Sequence, residues 1–254
     1  MTSMSLSEPA SIIEGAGVSV ALGLAPSSLS ISPRQVNRYA GGSRYQSDGT
    51  GDALAREAMA CARQLISPAL VYAVHPVASQ SPPRTFKLSG DHVVSLPLAA
   101  PKLPAASLAA IVCTLGPELE AAGRQLTREG KVLEALFLDA AGTALLENLW
   151  EHAYALVADQ AQAHGLFPGC RFAPGHETMP MSAQSLLFKL VNAGAIGVHL
   201  NRHLVMTPNK SLSFFLALTK EGSPAENTDK CRACSIKGCR FRLLPERPGG
   251  VRGP

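Results

Sequence analysis

Cys231, Cys234 and Cys239 fall within nine residues, separated by two and then four others. A loop that folds back brings such thiolates to one centre, and soft sulfur favours zinc or an iron-sulfur cluster. Three ligands are present where both groups usually take four. Cys61, Cys113 and Cys170 are scattered, which favours buried free thiols over a disulfide framework. Elsewhere, Arg171-Phe172-Ala173-Pro174-Gly175-His176 puts a guanidinium beside a Pro-Gly bend, where backbone amides and a fixed cation hold a carboxylate; the plainer reading is a surface turn. Asp139, Thr143, Glu147 and Glu151 recur every four residues, forming one polar stripe between Leu136, Leu146, Leu149 and Trp150. Such a stripe ordinarily faces water; the alternative is a ligand-facing role.

Other motifs fail on context. His199 and His203 are four apart, but the strand-like residues around His199, with Pro208 following, argue against one helix carrying both as metal ligands. His176-Glu177 leads to Pro180, where a zinc-protease helix would need a second His. Gly15-Ala16-Gly17 follows no strand, no Gly-rich run ends in Gly-Lys-Ser/Thr, and there is no Gly-x-Ser-x-Gly elbow.

Short elements must position these groups. Residues 1–30, rich in Ser, Ala, Gly and Pro, read as a flexible leader. Ser32-Pro33 is an N-cap and first helical position for a helix that stops at Gly41-Gly42, and Asp52 caps a second over 53–66. Strands are expected over 69–74, 85–88, 93–96 and 109–115, with an extended stretch around Arg171 and strands over 196–200 and 211–218. Helices are expected over 118–128, 132–162 and 182–191. The long one is rich in Ala, Leu and Glu, with Gly142 its weak point.

The 254 residues are 46% hydrophobic, 17% charged and 5% aromatic, enough for a sizeable core built mostly from Ala, Leu and Val. Seven basic residues and one acid lie in 230–254, leaving sixteen basic against eighteen acidic elsewhere, a net of −2 for the body. The net +4 therefore belongs to a short tail, which argues against nucleic-acid binding across the whole surface. No apolar run reaches membrane-spanning length, and the apolar patch over 12–24 lacks the basic residues of a secretory signal, so the expected compartment is the cytoplasm.

Taken in order, Asn37-Arg38-Tyr39, Thr114-Leu115-Gly116, Asp139-Ala140-Ala141-Gly142-Thr143 with Glu147, the segment 171–176, Gln184, Ile196-Gly197-Val198, Met206-Thr207-Pro208-Asn209-Lys210-Ser211 and the segment 231–242 resemble the activation domain of cobalamin-dependent methionine synthase in its short free-standing form. The likeness covers about residues 31–242. It implies an α+β fold, a bent antiparallel sheet flanked by helices, and divides the chain into the leader 1–30, an S-adenosylmethionine-binding domain over 31–225 and a cysteine segment with basic tail over 226–254. In that family the Arg-x-x-Pro-Gly segment reads the methionine carboxylate with its Arg and the adenosine with its backbone. This puts Arg171, Ala173, Pro174, Gly175 and His176 at the ligand, with Glu147 as the helical acid. A zwitterion needs a cation for its carboxylate and an anion for its ammonium, which suits the pair. The family has Tyr where this chain has His176, which reaches less far and titrates near neutral pH.

The implied function is reductive reactivation of a cobalamin-dependent methyltransferase: cobalt(II) gains an electron and S-adenosylmethionine methylates the cobalt(I), with no acid-base residue required. The cobalamin would sit on a separate partner, methionine synthase or another corrinoid protein, with a flavodoxin or ferredoxin as electron donor. The alternatives are an iron-sulfur electron carrier for another corrinoid protein and a zinc-stabilised interaction module.

Overall fold

The structure is a computed structural model that describes residues 17–42, 49–81, 85–90, 92–95, 105–175 and 179–221. Its elements run β1 (Val20–Gly23), α1 (Pro33–Gly41), α2 (Gly49–Leu65), β2 (Ala69–Ser81), β3 (Thr85–Leu88), β4 (Val93–Ser95), β5 (Ala105–Thr114), α3 (Glu118–Arg128), α4 (Val132–Gln162), β6 (Phe167–Phe172), α5 (Ala183–Leu190), β7 (His199–Leu200), β8 (Met206–Thr207) and β9 (Ser211–Thr219). The main sheet has the order β4-β3-β2-β5-β9-β6, with β1 also on β2, and all of its pairings are antiparallel. The fold is α+β, a bent antiparallel sheet flanked by helices. The bend falls within β2, which pairs with β5 from Ala69 to Pro76 and with β3 from Val77 onward, across an irregularity between Val77 and Ser79.

Alternation along the central strands fills two cores. Tyr72, Ile111, Phe214 and Leu216 point to the layer of α1 to α4, while Val71, Ala110, Val112 and Phe215 point to the side of α5 and β3. Strands buried on both faces read as continuous apolar runs, which is why 109–115 stood out in the sequence.

Helix ends follow local chemistry. The Ser32 side chain accepts from the Gln35 N–H while the Ser32 N–H donates to Gln35 Oε1, a capping box with Pro33 at the first helical position. α3 ends at Gly130, whose φ is +78°, with the Lys131 N–H returning to the Leu126 carbonyl. Gly142 marks a close approach: a Cβ there would lie 2.8 Å from Leu119 Cδ2 and 3.3 Å from Lys210 Cε. α2 meets its neighbours through Gly51, Ala55, Ala58 and Ala62, a face of small residues.

Several expectations are corrected. Of the leader expected over 1–30, residues 1–16 lie outside the described residues, and the rest is built into the fold, since Val20–Gly23 pair with 69–72 of β2 and Leu29 is buried in the core. α2 begins at Gly49, before Asp52, whose Oδ1 accepts from Asn37 Nδ2 at 2.7 Å instead of opening the helix. The strand expected over 196–200 shrinks to the two residues of β7, because Ala193–Ile196 form a 3-10 turn and Gly197 is left-handed. Of the scattered cysteines, Cys113 is buried, Cys170 half-buried and Cys61 exposed on the outer side of α2. No helix among the described residues is long and apolar enough to cross a membrane.

Candidate functional site

α4 carries the polar stripe, and the stripe is not merely solvated. Each member takes a partner from another element or from its own helix. Lys210 Nζ lies 2.8 Å from Asp139 Oδ1 and donates to Thr143 Oγ1 at 2.8 Å. Two turns on, Glu147 Oε2 accepts from Arg38 Nη2 at 2.7 Å and from the Tyr39 hydroxyl at 2.8 Å. Glu151 Oε2 accepts from Arg171 Nη1 at 3.0 Å.

The first pair of residues belongs to a structural joint. Lys210 also donates its backbone N–H to Glu120 Oε1 at 2.8 Å, and its carbonyl accepts from the Leu115 N–H at 2.9 Å. Ser211 Oγ lies 2.7 Å from the Pro208 carbonyl and 2.8 Å from Thr114 Oγ1, and the Gly116 N–H donates to Thr114 Oγ1. The segments 114–116, 139–143 and 206–211, remote in sequence, thus lock α3, α4 and the entry of β9 together. Gln184 is buried and donates to the Leu204 carbonyl at 3.2 Å, a comparable tie for α5.

The second pair forms the candidate site. After α4 the chain turns through Gly165, whose φ is +72°, and β6 runs back beside α4, with Arg171 opposite Leu216 and Phe172 opposite Phe215 of β9. β6 lies at the end of the strand order, which tolerates Pro168. Arg171 thereby reaches α4, where its Cζ lies 4.9 Å from the Trp150 ring centroid and 4.5 Å from that of Tyr154. Trp150 in turn stands edge-on to Phe214 of β9, at 5.9 Å and 67°. Arg38 repeats the arrangement, its Cζ 4.5 Å from the Tyr39 ring while it bonds Glu147. Burial raises the Tyr154 pKa, partly opposed by the Arg171 charge.

Ala173 packs against the helical core and Pro174 is half-buried. Gly175 is left-handed at φ +77°, and its N–H donates to the Met179 carbonyl at 3.0 Å. That amide is thereby engaged within the protein. A Cβ at Gly175 would run into Met181 Cε. Arg171 and Glu147, expected at the two ends of one ligand, are not bonded to each other; each has a protein partner of opposite charge on or beside α4.

His176 and the cluster Cys231, Cys234 and Cys239 lie outside the described residues. Among the described residues, no three His, Cys, Asp or Glu side chains are placed to hold a metal ion. His199 and His203 sit on β7 and in the turn after it, where the His203 N–H donates to Asn201 Oδ1 and Arg202 Nε to His203 Nε2.

Sequence reasoning missed Trp150 and Tyr154 as partners of Arg171, and Arg38 and Tyr39 as partners of Glu147. Trp150 and Tyr154 stand four residues apart on α4 and so share a helical face, but the cation they meet comes from another element.

No protein-family model matches this chain, and no curated protein matches it. Among solved structures it is similar to the crystal structure of the MetH reactivation domain bound to AdoHcy, with a TM-score of 0.61 over 82% of this chain and 81% of that one, at 14% sequence identity. At that identity the likeness is one of fold.

Proposed function

We propose that this protein binds S-adenosylmethionine on the α4 face between Glu147 and Arg171 and serves the reductive reactivation of a cobalamin-dependent methyltransferase of the methionine synthase type. The observation that carries the reading is the placement of a cation and an anion on one face of α4, beside the 173–175 turn, in a fold shared with a domain solved with AdoHcy. The side chains of Glu147 and Arg171 are 29% and 21% exposed, so neither is sealed from solvent, which supports the reading. Both bonds to Glu147 fall on Oε2, which makes Oε1 the oxygen an ammonium would meet. Arg171 bonds Glu151 through Nη1, and Nη2 and Nε are the donors for a ligand carboxylate.

In this reading the protein contributes binding and orientation. The sulfonium–methyl bond breaks as the methyl group passes to cobalt(I) on a separate corrinoid partner, after a flavodoxin or ferredoxin has supplied one electron to cobalt(II), and the thioether product remains. The family resemblance assigns Ala173, Pro174, Gly175 and His176 to the adenosine. The ligand-binding unit takes in β1 as well as 31–225, and 226–254 form the cysteine segment.

Calorimetric titration with S-adenosylmethionine and with S-adenosylhomocysteine tests the ligand, and absence of binding by both refutes the proposal. Mixing the protein with cobalt(II) corrinoid proteins, an electron donor and S-adenosylmethionine tests the role. Methylcobalamin forming no faster than without the chain, while the donor still binds, leaves a binding protein without the activator function.

A further inference from the structure

Arg171 is held in a way that the exchange of charges alone does not require. A flexible arginine that reads a carboxylate loses rotamer freedom on binding, and that loss subtracts from affinity unless the fold has already imposed it. Three contacts impose it here: the Trp150 and Tyr154 rings at 4.9 Å and 4.5 Å from Cζ, and Glu151 at 3.0 Å from Nη1. The rings stand four residues apart on α4, so one helical face presents both. Trp150 is itself fixed edge-on against Phe214, which is fully buried. The path therefore runs from the core through a rigid ring to the cation. Tyr154 is partly buried against the same core.

We propose that Trp150 and Tyr154 are positioning residues that set the specificity of the site for ligands bearing a carboxylate, by holding the Arg171 guanidinium so that Nη2 and Nε face the ligand. This rests on the binding reading above. An aromatic face attracts a guanidinium without using its N–H groups, whereas a further carboxylate would compete with the ligand for them. The two rings can thus restrain Arg171 without spending its donors. Lysine at 171 would have neither the planar group nor the fork of donors, so it would not reproduce the effect.

The test compares Tyr154→Leu, Tyr154→Phe, Trp150→Leu and Trp150→Phe by calorimetry against S-adenosylmethionine and decarboxylated S-adenosylmethionine, with thermal midpoints measured alongside. Tyr154→Leu is expected to bind S-adenosylmethionine about tenfold more weakly, the equivalent of losing one cation–π contact, while binding the decarboxylated analogue as the parent does. Tyr154→Phe keeps the ring and is expected to restore the parent affinity. Unchanged binding of S-adenosylmethionine by Tyr154→Leu, or an equal loss for both ligands, overturns the proposal while leaving the binding reading intact. A parent that binds neither ligand overturns both. Should Trp150→Leu fail to fold, the Tyr154 pair decides alone.

Discussion

Glu147 and Glu151 stand one turn apart on α4, and each is bonded to a different arginine: Arg38 from α1 at 2.7 Å and Arg171 from β6 at 3.0 Å. Two elements far apart in sequence are thus brought to one helical face with charges alternating along it. In the proposed reading, an amino-acid zwitterion placed there would meet a cation and an anion that their protein partners already orient.

Arg171→Ala should weaken S-adenosylmethionine binding by about 1.5 to 3 kcal/mol, the worth of a charge-assisted bond to a half-buried cation, and disturb folding far less. Glu147→Gln should weaken the same ligand, with a smaller effect on an analogue lacking the amino group. Calorimetry reads both. Parent-like binding by Arg171→Ala removes its carboxylate role, and an equal loss for both ligands in Glu147→Gln removes the ammonium role.

Gly142 is kept small by what faces it. A Cβ there meets Leu119, which is buried, and Lys210, which Asp139 and Thr143 hold. For Gly142→Ala the helix-propensity gain of about 1 kcal/mol opposes the crowding, so stability should change little. Gly142→Val adds bulk and loses most of that gain, so urea unfolding should show a loss of about 1 to 3 kcal/mol. Equal stability of the Val variant and the parent would mean that α3 yields.

His75 makes stability depend on pH. Its ring is buried, with Nε2 2.8 Å from the Leu190 carbonyl at the end of α5. Burial holds its pKa below the usual imidazole value; the Leu190 carbonyl partly opposes this, and the His92 charge adds to it. The unfolded chain therefore takes up the proton first as pH falls. Stability from this group is complete above about pH 6.5 and is lost as pH drops toward the folded pKa, at no more than about 1.4 kcal/mol per pH unit. Thermal midpoints between pH 7 and pH 5 should fall less steeply in His75→Gln than in the parent.

Cys113 should be inert in the folded protein. It is buried on β5, and burial pushes its thiol pKa up to about 12, slightly offset by the Leu212 backbone. Peptide mapping after brief alkylation should find Cys61, which is exposed, modified and Cys113 untouched until denaturant is added. Prompt labelling of Cys113 would show that β5 opens readily.

What was legible in the residues was local. The Ser32-Pro33 start of α1, the apolar runs of β5 and β9 and the uninterrupted stretch of α4 each encode their own element, because caps, periodicity and the absence of Pro act over a few residues. The alternation of acids every four residues likewise put Glu147 and Glu151 on one face. What that face meets was not encoded there. An isolated stripe looks the same whether it meets water or two arginines, and only the antiparallel return of β6 onto β9 and the packing of α1 on α4 bring Arg171 and Arg38 to it. β1 was missed for the same reason. Four residues with little pattern of their own become a strand because the edge of β2 supplies their hydrogen-bond partners, and that edge exists only once the sheet has formed.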